Sequence, residues 1–255
     1  MDPFAVLSGF GVGAVVGLTG VGGGSLMTPL LIGVFGLAPA VAIGTDLWFA
    51  GLTKVGGSLA HHRLGHVDFG VTRLLLVGSL PATVLTIGLL HLTHATKGGS
   101  TLLTTALGVA LLLTAASVAL RRAWAGLGLR LEQSLNERRR AAITIGCGAL
   151  LGVLVSLTSI GAGALGATLL LLLYPRMAAH RIVGTDIAHA VPLTLVAGIG
   201  HASLGNVEWA LLGALLLGSL PGIWLGARLT QIVPERLLRG VLCLSLVGAG
   251  IKVLA

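Results

Sequence analysis

Residues 17 to 31 read GLTGVGGGSLMTPLL: five glycines, two threonines and a serine inside an otherwise apolar run that also carries Pro29. A glycine in a helix interior costs about 1 kcal/mol relative to alanine, so the stretch predicts a helix that stops and restarts. How the rest of the chain is built decides what such an interruption is for.

The chain has 255 residues, of which 55% are hydrophobic and only 9% charged, and its mean hydropathy is +1.01. A soluble domain carries about 25% charged residues, so this composition cannot cover a water-facing surface. Apolar runs long enough to cross a bilayer recur at roughly 40–60, 70–92, 101–120, 141–173, 182–203, 207–227 and 237–255. They do not alternate as the strands of a transmembrane barrel would. The expected class is an all-α polytopic membrane protein in a bacterial-type cell (inner) membrane, with the lipid bilayer as its surroundings. The opening MDPFAVLSG lacks a basic n-region, so no cleavable signal is expected. Cys147 and Cys243 lie in separate apolar runs without ligand spacing and read as small core residues rather than a disulfide.

The formal charge of +8 could suggest nucleic acid. In a membrane chain it reads instead as the basic bias of cytoplasmic loops, and no nucleic-acid partner is expected. The longest polar stretch, RRAWAGLGLRLEQSLNERRR (121–140), holds six arginines. It reads as a cytoplasmic linker able to form a short amphipathic surface helix. It separates 1–120 from 141–255.

Those two parts resemble each other at an offset of 140. Gly44-Thr45-Asp46 matches Gly184-Thr185-Asp186, His61 matches His201, and Leu64-Gly65 matches Leu204-Gly205. Val67-Asp68 matches Val207-Glu208, and Gly78-Ser79-Leu80-Pro81 matches Gly218-Ser219-Leu220-Pro221. One residue out of that register, Leu18-Thr19 aligns with Leu157-Thr158, and Gly22, Gly24 and Leu26 with Gly161, Gly163 and Leu165. The break therefore occurs twice. A duplicated membrane protein is the usual plan of a secondary transporter.

Each half reads as one broken segment (about 4–36 and 141–174) followed by three ordinary spans. If the broken segments cross, the repeats are parallel and the basic residues divide nine inside to six outside. If they are re-entrant, the repeats are inverted. The inside loops 61–73, 121–140, 174–181 and 228–239 then hold thirteen arginines, against Lys97 and Lys252 outside. The second division is the more polarised, so inverted repeats with re-entrant segments are expected.

Irregular backbone is tolerated at membrane depth only where it is buried in protein or lines a cavity. A glycine-rich tip that opens a helix offers free N–H groups at the positive end of the helix dipole, which suits a small anion. The expected binding groups in the first half are Thr19, Gly22, Gly23, Gly24, Ser25 and Thr28. In the second they are Thr158, Ser159, Gly161 and Gly163. Close packing through small residues would also use glycine, but it does not require three in a row. Neither tip is a nucleotide loop, since no GK[ST] and no preceding strand accompany it.

Asp46, Lys54, Asp186 and His189 fall inside predicted spans, where a charge costs at least about 2.5–3.5 kcal/mol and marks function. Lys54 can supply positive charge to the anion or snorkel to an interface. Asp46 and Asp186 are candidate proton carriers or helix caps, and His189 is a third proton-coupling candidate. His61 and His201 read as interfacial, with His61-His62-Arg63 a loop. No metal or other cofactor is expected, because the histidine spacing forms no compact ligand set. No nucleophile–base pair points to an enzyme.

GLTGVGGGSLMTPLL with GTDLWFAGLTKVGGSLAHHRLGHVDF, then GSLP and IGAGALGATLLLLLYPRMAAHRIVGTDIAHAVPL, closely resemble the sulfite exporter TauE/SafE family. The resemblance covers the chain apart from 121–140. It implies a permease for sulfur-containing anions such as sulfite, sulfoacetate and other organosulfonates. The departure is Asp46 and Asp186, where many members carry serine or another uncharged residue after Gly-Thr. An acid there suggests proton coupling or a different substrate. An anion channel of the same architecture is the alternative, and pairing as a homodimer is left open.

Overall fold

The computed structural model describes residues 3–19, 24–93, 101–229 and 235–254. Every regular element among them is an α-helix. The first half contributes α1 (Pro3–Thr19), α2 (Gly24–Gly33), α3 (Pro39–Arg63), α4 (Phe69–Thr93) and α5 (Thr101–Ala119). After α6 (Arg121–Ser134) come α7 (Glu137–Thr158), α8 (Ala164–Leu173), α9 (Ala179–Ser203), α10 (Trp209–Leu229) and α11 (Glu235–Leu254). Helix α1 is described to Thr19 and α2 from Gly24, on either side of the glycine-rich stretch, whose residues 20–23 lie outside the described ones. Residues 137–140 already belong to α7, where the Asn136 side chain accepts from the Arg139 backbone N–H at 2.8 Å and caps the helix.

Five helices are long and apolar enough to cross a bilayer: α4, α5, α7, α9 and most of α10. Helix α3 matches α9 at 25 residues, about 37 Å at 1.5 Å per residue, but carries Asp46 and Lys54 and lies at the centre of the bundle. Large apolar side chains such as Leu7, Leu85, Leu92 and Leu244 stand exposed on the outside. Such a surface would be a liability in water and is the solvated state in lipid.

Local chemistry fixes the ends of the central helices. Pro39 opens α3 with its preset φ. At the other end the His66 N–H donates to the His61 carbonyl at 2.9 Å and the Gly65 N–H to that of His62 at 3.0 Å, with Gly65 at φ +69°. This closing turn needs a left-handed residue, which glycine supplies without strain. The same turn ends α9: Asn206 donates to His201 at 2.9 Å, Gly205 donates to Ala202 at 3.0 Å, and Gly205 has φ +75°. The helix therefore runs through His61, His62 and Arg63, where a loop was expected. Backbone caps of this kind out-compete a loop because they satisfy the terminal carbonyls.

Glycines set how the helices pack. A Cβ at Gly9, Gly13 or Gly17 of α1 would overlap the backbone of Leu215, Ser219 or Ile223 in α10. Reciprocally, Gly218, Gly222 and Gly226 face the backbone of Val6, Phe10 and Ala14. The numbers rise together, so α1 and α10 run parallel with their backbones in contact. Helices α4 and α7 pair in the same way, Gly78 against Ile145 and Gly152 against Ser79. Helices α3 and α9 run opposite ways: Gly44 meets Asn206, Gly51 meets Leu195, and Gly57 approaches Ile187. Helices α5 and α11 are also antiparallel, with Gly108 against Leu254 and Gly250 against Leu112. Two hydrogen bonds tie the central helices to the turns opposite them. Thr45 Oγ1 accepts from the Glu208 N–H and Thr185 Oγ1 from the Asp68 N–H, each at 3.0 Å.

The basic connections gather at one end of the bundle. Arg181 pairs with Asp68 at 3.0 Å, and Arg176 with Glu132 at 3.1 Å, which joins the α8–α9 connection to the α3–α4 turn and to α6. Gly33, at the end of α2, lies beside the Lys252 ammonium instead. Cys147 and Cys243 form no disulfide.

Candidate functional site

The break between α7 and α8 is built from residues that can take left-handed backbone. Ser159 ends α7 at φ 59°, and Gly161 and Gly163 follow at φ 130° and 143°. Only glycine adopts the last two without strain. Thr158 holds the turn together: its hydroxyl donates to the Leu154 carbonyl at 2.6 Å and accepts from the Ile160 N–H at 3.1 Å. Thr158 was an expected ligand, but its hydrogen bonds go to the break itself. Ser159 differs. Its hydroxyl is buried, faces Asp46, and makes no hydrogen bond of good geometry.

The two aspartates do not cap the helices that carry them. The N-caps of α3 and α9 are Ala38 and Ala178, and Asp46 and Asp186 lie two turns further in, both buried. Each reaches across to the short helix of its own half. Asp46 Oδ2 accepts from the Thr28 hydroxyl of α2 and also from the Thr28 backbone N–H. Asp186 lies against the first turn of α8, with the Gly163 N–H on its side of that turn. Its Oδ1 lies so close to Gly166 that a Cβ there would collide with it. One oxygen of each carboxylate, Asp46 Oδ1 and Asp186 Oδ1, has no hydrogen-bond partner although it is buried. An ionised carboxylate in such a place is costly unless something else compensates it.

Lys54 is the compensating charge. It lies on α3 with its ammonium turned into the protein, where Nζ donates to the Ala162 carbonyl in the second break at 2.6 Å. It is within electrostatic range of Asp46, Asp186 and His189. Snorkelling to an interface, the other reading of Lys54, does not describe this geometry. His189 is fully buried on α9, and its Nε2 lies 3.0 Å from the Ser79 hydroxyl of α4 while Nδ1 is unpartnered. His201, expected at an interface, is buried with its Nε2 2.8 Å from the Ser156 carbonyl. The satisfied carbonyl explains the burial, since an unpaired imidazole would stay near water.

In the first half, Ser25 and Thr28 are buried in α2, which begins at Gly24. Thr19 ends α1, with its side chain outside what the structure describes, and Gly22 and Gly23 lie outside the described residues. The structure thus brings Thr28, Lys54, Ser159 and the backbone at Gly163 around the two acids. Two participants gave no side-chain signal in the sequence. Ala162 contributes a backbone carbonyl, and Gly166 matters because it lacks a side chain. Ser79 could have been found, since it lies in the repeated GSLP. Among the described residues no cluster of three or more metal-ligating side chains occurs.

The sequence model of the sulfite exporter TauE/SafE family matches residues 5–253. The chain is 40% identical to the probable membrane transporter protein YjnA of Bacillus subtilis (strain 168), over the full length of both. It is 26% identical to the probable membrane transporter protein YdhB of the same organism, over 98% of each chain. The probable membrane transporter protein YunE matches at 39% identity over 28% of this chain and 26% of its own length. No solved structure matches.

Proposed function

The chain belongs to the sulfite exporter TauE/SafE family, and we propose that it is a secondary carrier of small sulfur-containing anions, such as sulfite, sulfoacetate and other organosulfonates. It is a multi-pass membrane transporter. The anion is bound between the two helix breaks. The observation that carries this reading is Lys54, a half-buried side chain whose ammonium reaches from α3 to the second break, within electrostatic range of two carboxylates that each keep an unpartnered oxygen. With the Ser159 hydroxyl and the N-terminus of α8 beside it, the site offers a cation, a hydroxyl and backbone donors to a compact oxyanion. The bond from Lys54 to Ala162 also links the halves, so it has to yield when the site changes its accessible side.

The halves, 1–120 and 141–255, are read as an inverted duplication with re-entrant breaks. Helix directions support this. Helix α1 runs with α10, α10 returns from α9 through the Gly205 turn, and α9 opposes α3. Helices α1 and α3 therefore point the same way, and α2 has to come back between them. Helices α7, α8 and α9 follow the same logic through α4. The arginine pairs gathered at one end supply the sidedness, with that end cytoplasmic. In a cysteine-free background, single cysteines at Arg121, Arg130 and Arg139 are expected to react only from the cytoplasmic side, and one at Lys252 only from outside. Labelling of position 252 from the cytoplasm would overturn the inverted arrangement.

Calorimetric titration of the purified protein with sulfite, sulfoacetate, methanesulfonate, sulfate and acetate tests the substrate class. Saturable binding of sulfite or the sulfonates is expected, with acetate weaker. Preference for acetate over every sulfur oxyanion would overturn the assignment.

A further inference from the structure

The seat that an anion would take at the second break is already filled by part of the protein. Helix α8 has ten residues, and its N-terminus directs the Gly163 N–H at Asp186. The Asp186 carboxylate fits against α8 so closely that Gly166 admits no side chain. Its second oxygen is buried without a partner and the residue is 3% exposed. Asp46 is held differently, by the hydroxyl of Thr28, whereas among the described residues Asp186 accepts no side-chain hydrogen bond and faces the Lys54 charge.

We infer that Asp186 is a resident stand-in for the transported anion: the substrate takes its place at the α8 N-terminus, and Asp186 leaves that place as a neutral acid. This rests on the anion-site reading and adds the coupling. The charge count explains why a proton has to accompany the anion. The charged groups gathered here are Lys54 from α3 with Asp186 and Asp46 in its electrostatic range, while the His189 imidazole shares a hydrogen bond with Ser79 of α4. One positive charge therefore stands against two negative ones. A monoanion added to that set is repelled. If Asp186 takes one proton from the bulk onto a carboxylate oxygen, the arriving anion restores the original charge. Each monoanion then binds with one proton, and both leave together. No bond other than the O–H forms or breaks. Asp46 stays tied to Thr28 throughout.

The test is proton uptake on binding of methanesulfonate, which does not titrate near neutral pH. Purified protein in a weakly buffered solution with a pH indicator is mixed with methanesulfonate, and bound anion is measured in parallel. About one proton taken up per anion bound is expected for the parent, and near zero for Asp186→Asn with binding retained. Binding by the parent without proton uptake would overturn the inference and leave the anion site standing, with no variant required. Unchanged uptake in a folded Asp186→Asn would do the same. Failure of the parent to bind methanesulfonate, sulfite and sulfoacetate alike would overturn the anion site itself, and this inference with it.

Discussion

Lys54→Met is expected to weaken sulfite or methanesulfonate binding by about a hundredfold or more and to abolish transport, with the protein still folded. Methionine keeps the length and apolar stem of lysine but removes the ammonium that donates to Ala162 and balances Asp46 and Asp186. Removing one partner from a buried charge arrangement costs about 3–5 kcal/mol, because the remaining charge is left uncompensated. About 1.4 kcal/mol is a tenfold change in affinity, so the expected loss spans at least two decades. Lys54→Arg keeps the charge in a planar, larger head that does not fit the same point contact, and is expected to fall between the two. Calorimetry with thermal unfolding as the folding control measures this. An affinity within a few fold of the parent would reduce Lys54 to a structural tie between α3 and the second break.

The largest expected effect on stability comes from Gly218→Leu. A Cβ at 218 would overlap the Val6 carbonyl and crowd the Phe10 backbone N–H, both in α1. Overpacking a core costs about 1–3 kcal/mol when neighbouring side chains can shift. Here the obstacle is helix backbone, so α1 and α10 have to separate and the cost should lie at or above the upper end. Gly78→Leu is expected to act alike, since a Cβ there would meet the Ile145 carbonyl of α7. Gly213→Leu provides the control, because a Cβ at 213 meets nothing within 4 Å. Unfolding midpoints in detergent should drop for the first two variants and not for the third. Equal midpoints in all three would contradict the backbone contact between these helices.

Much of this architecture is legible in the sequence because it rests on residue types with a single strong reason to be present. The apolar runs announced helices long enough to cross a bilayer, and the repeated Gly-Thr-Asp located both acids. What the sequence withheld was partnership. Asp46 and Asp186 invite a reading as caps because a short acid near a helix start usually is one. Their true partners, Thr28 and Gly163, lie on other helices, and no local pattern announces that contact. Thr158 shows the same limit, since a threonine beside a glycine break can bond a guest or its own backbone, and its hydroxyl is here bonded to the backbone of Leu154 and Ile160. His201 pairs with a carbonyl, a group every residue possesses, so its burial left no trace in composition.

The central claim, a carrier with one anion site reached alternately from each side, is tested most directly by counterflow. Proteoliposomes loaded with unlabelled sulfite are diluted into a trace of radiolabelled sulfite, with the membrane potential and pH gradient collapsed. A carrier exchanges internal for external anion faster than it equilibrates, so label should accumulate inside above the external concentration and then decline, and Lys54→Met should lose the overshoot. A monotonic approach of label to the external concentration, with no overshoot in the parent, would contradict the account and identify a channel.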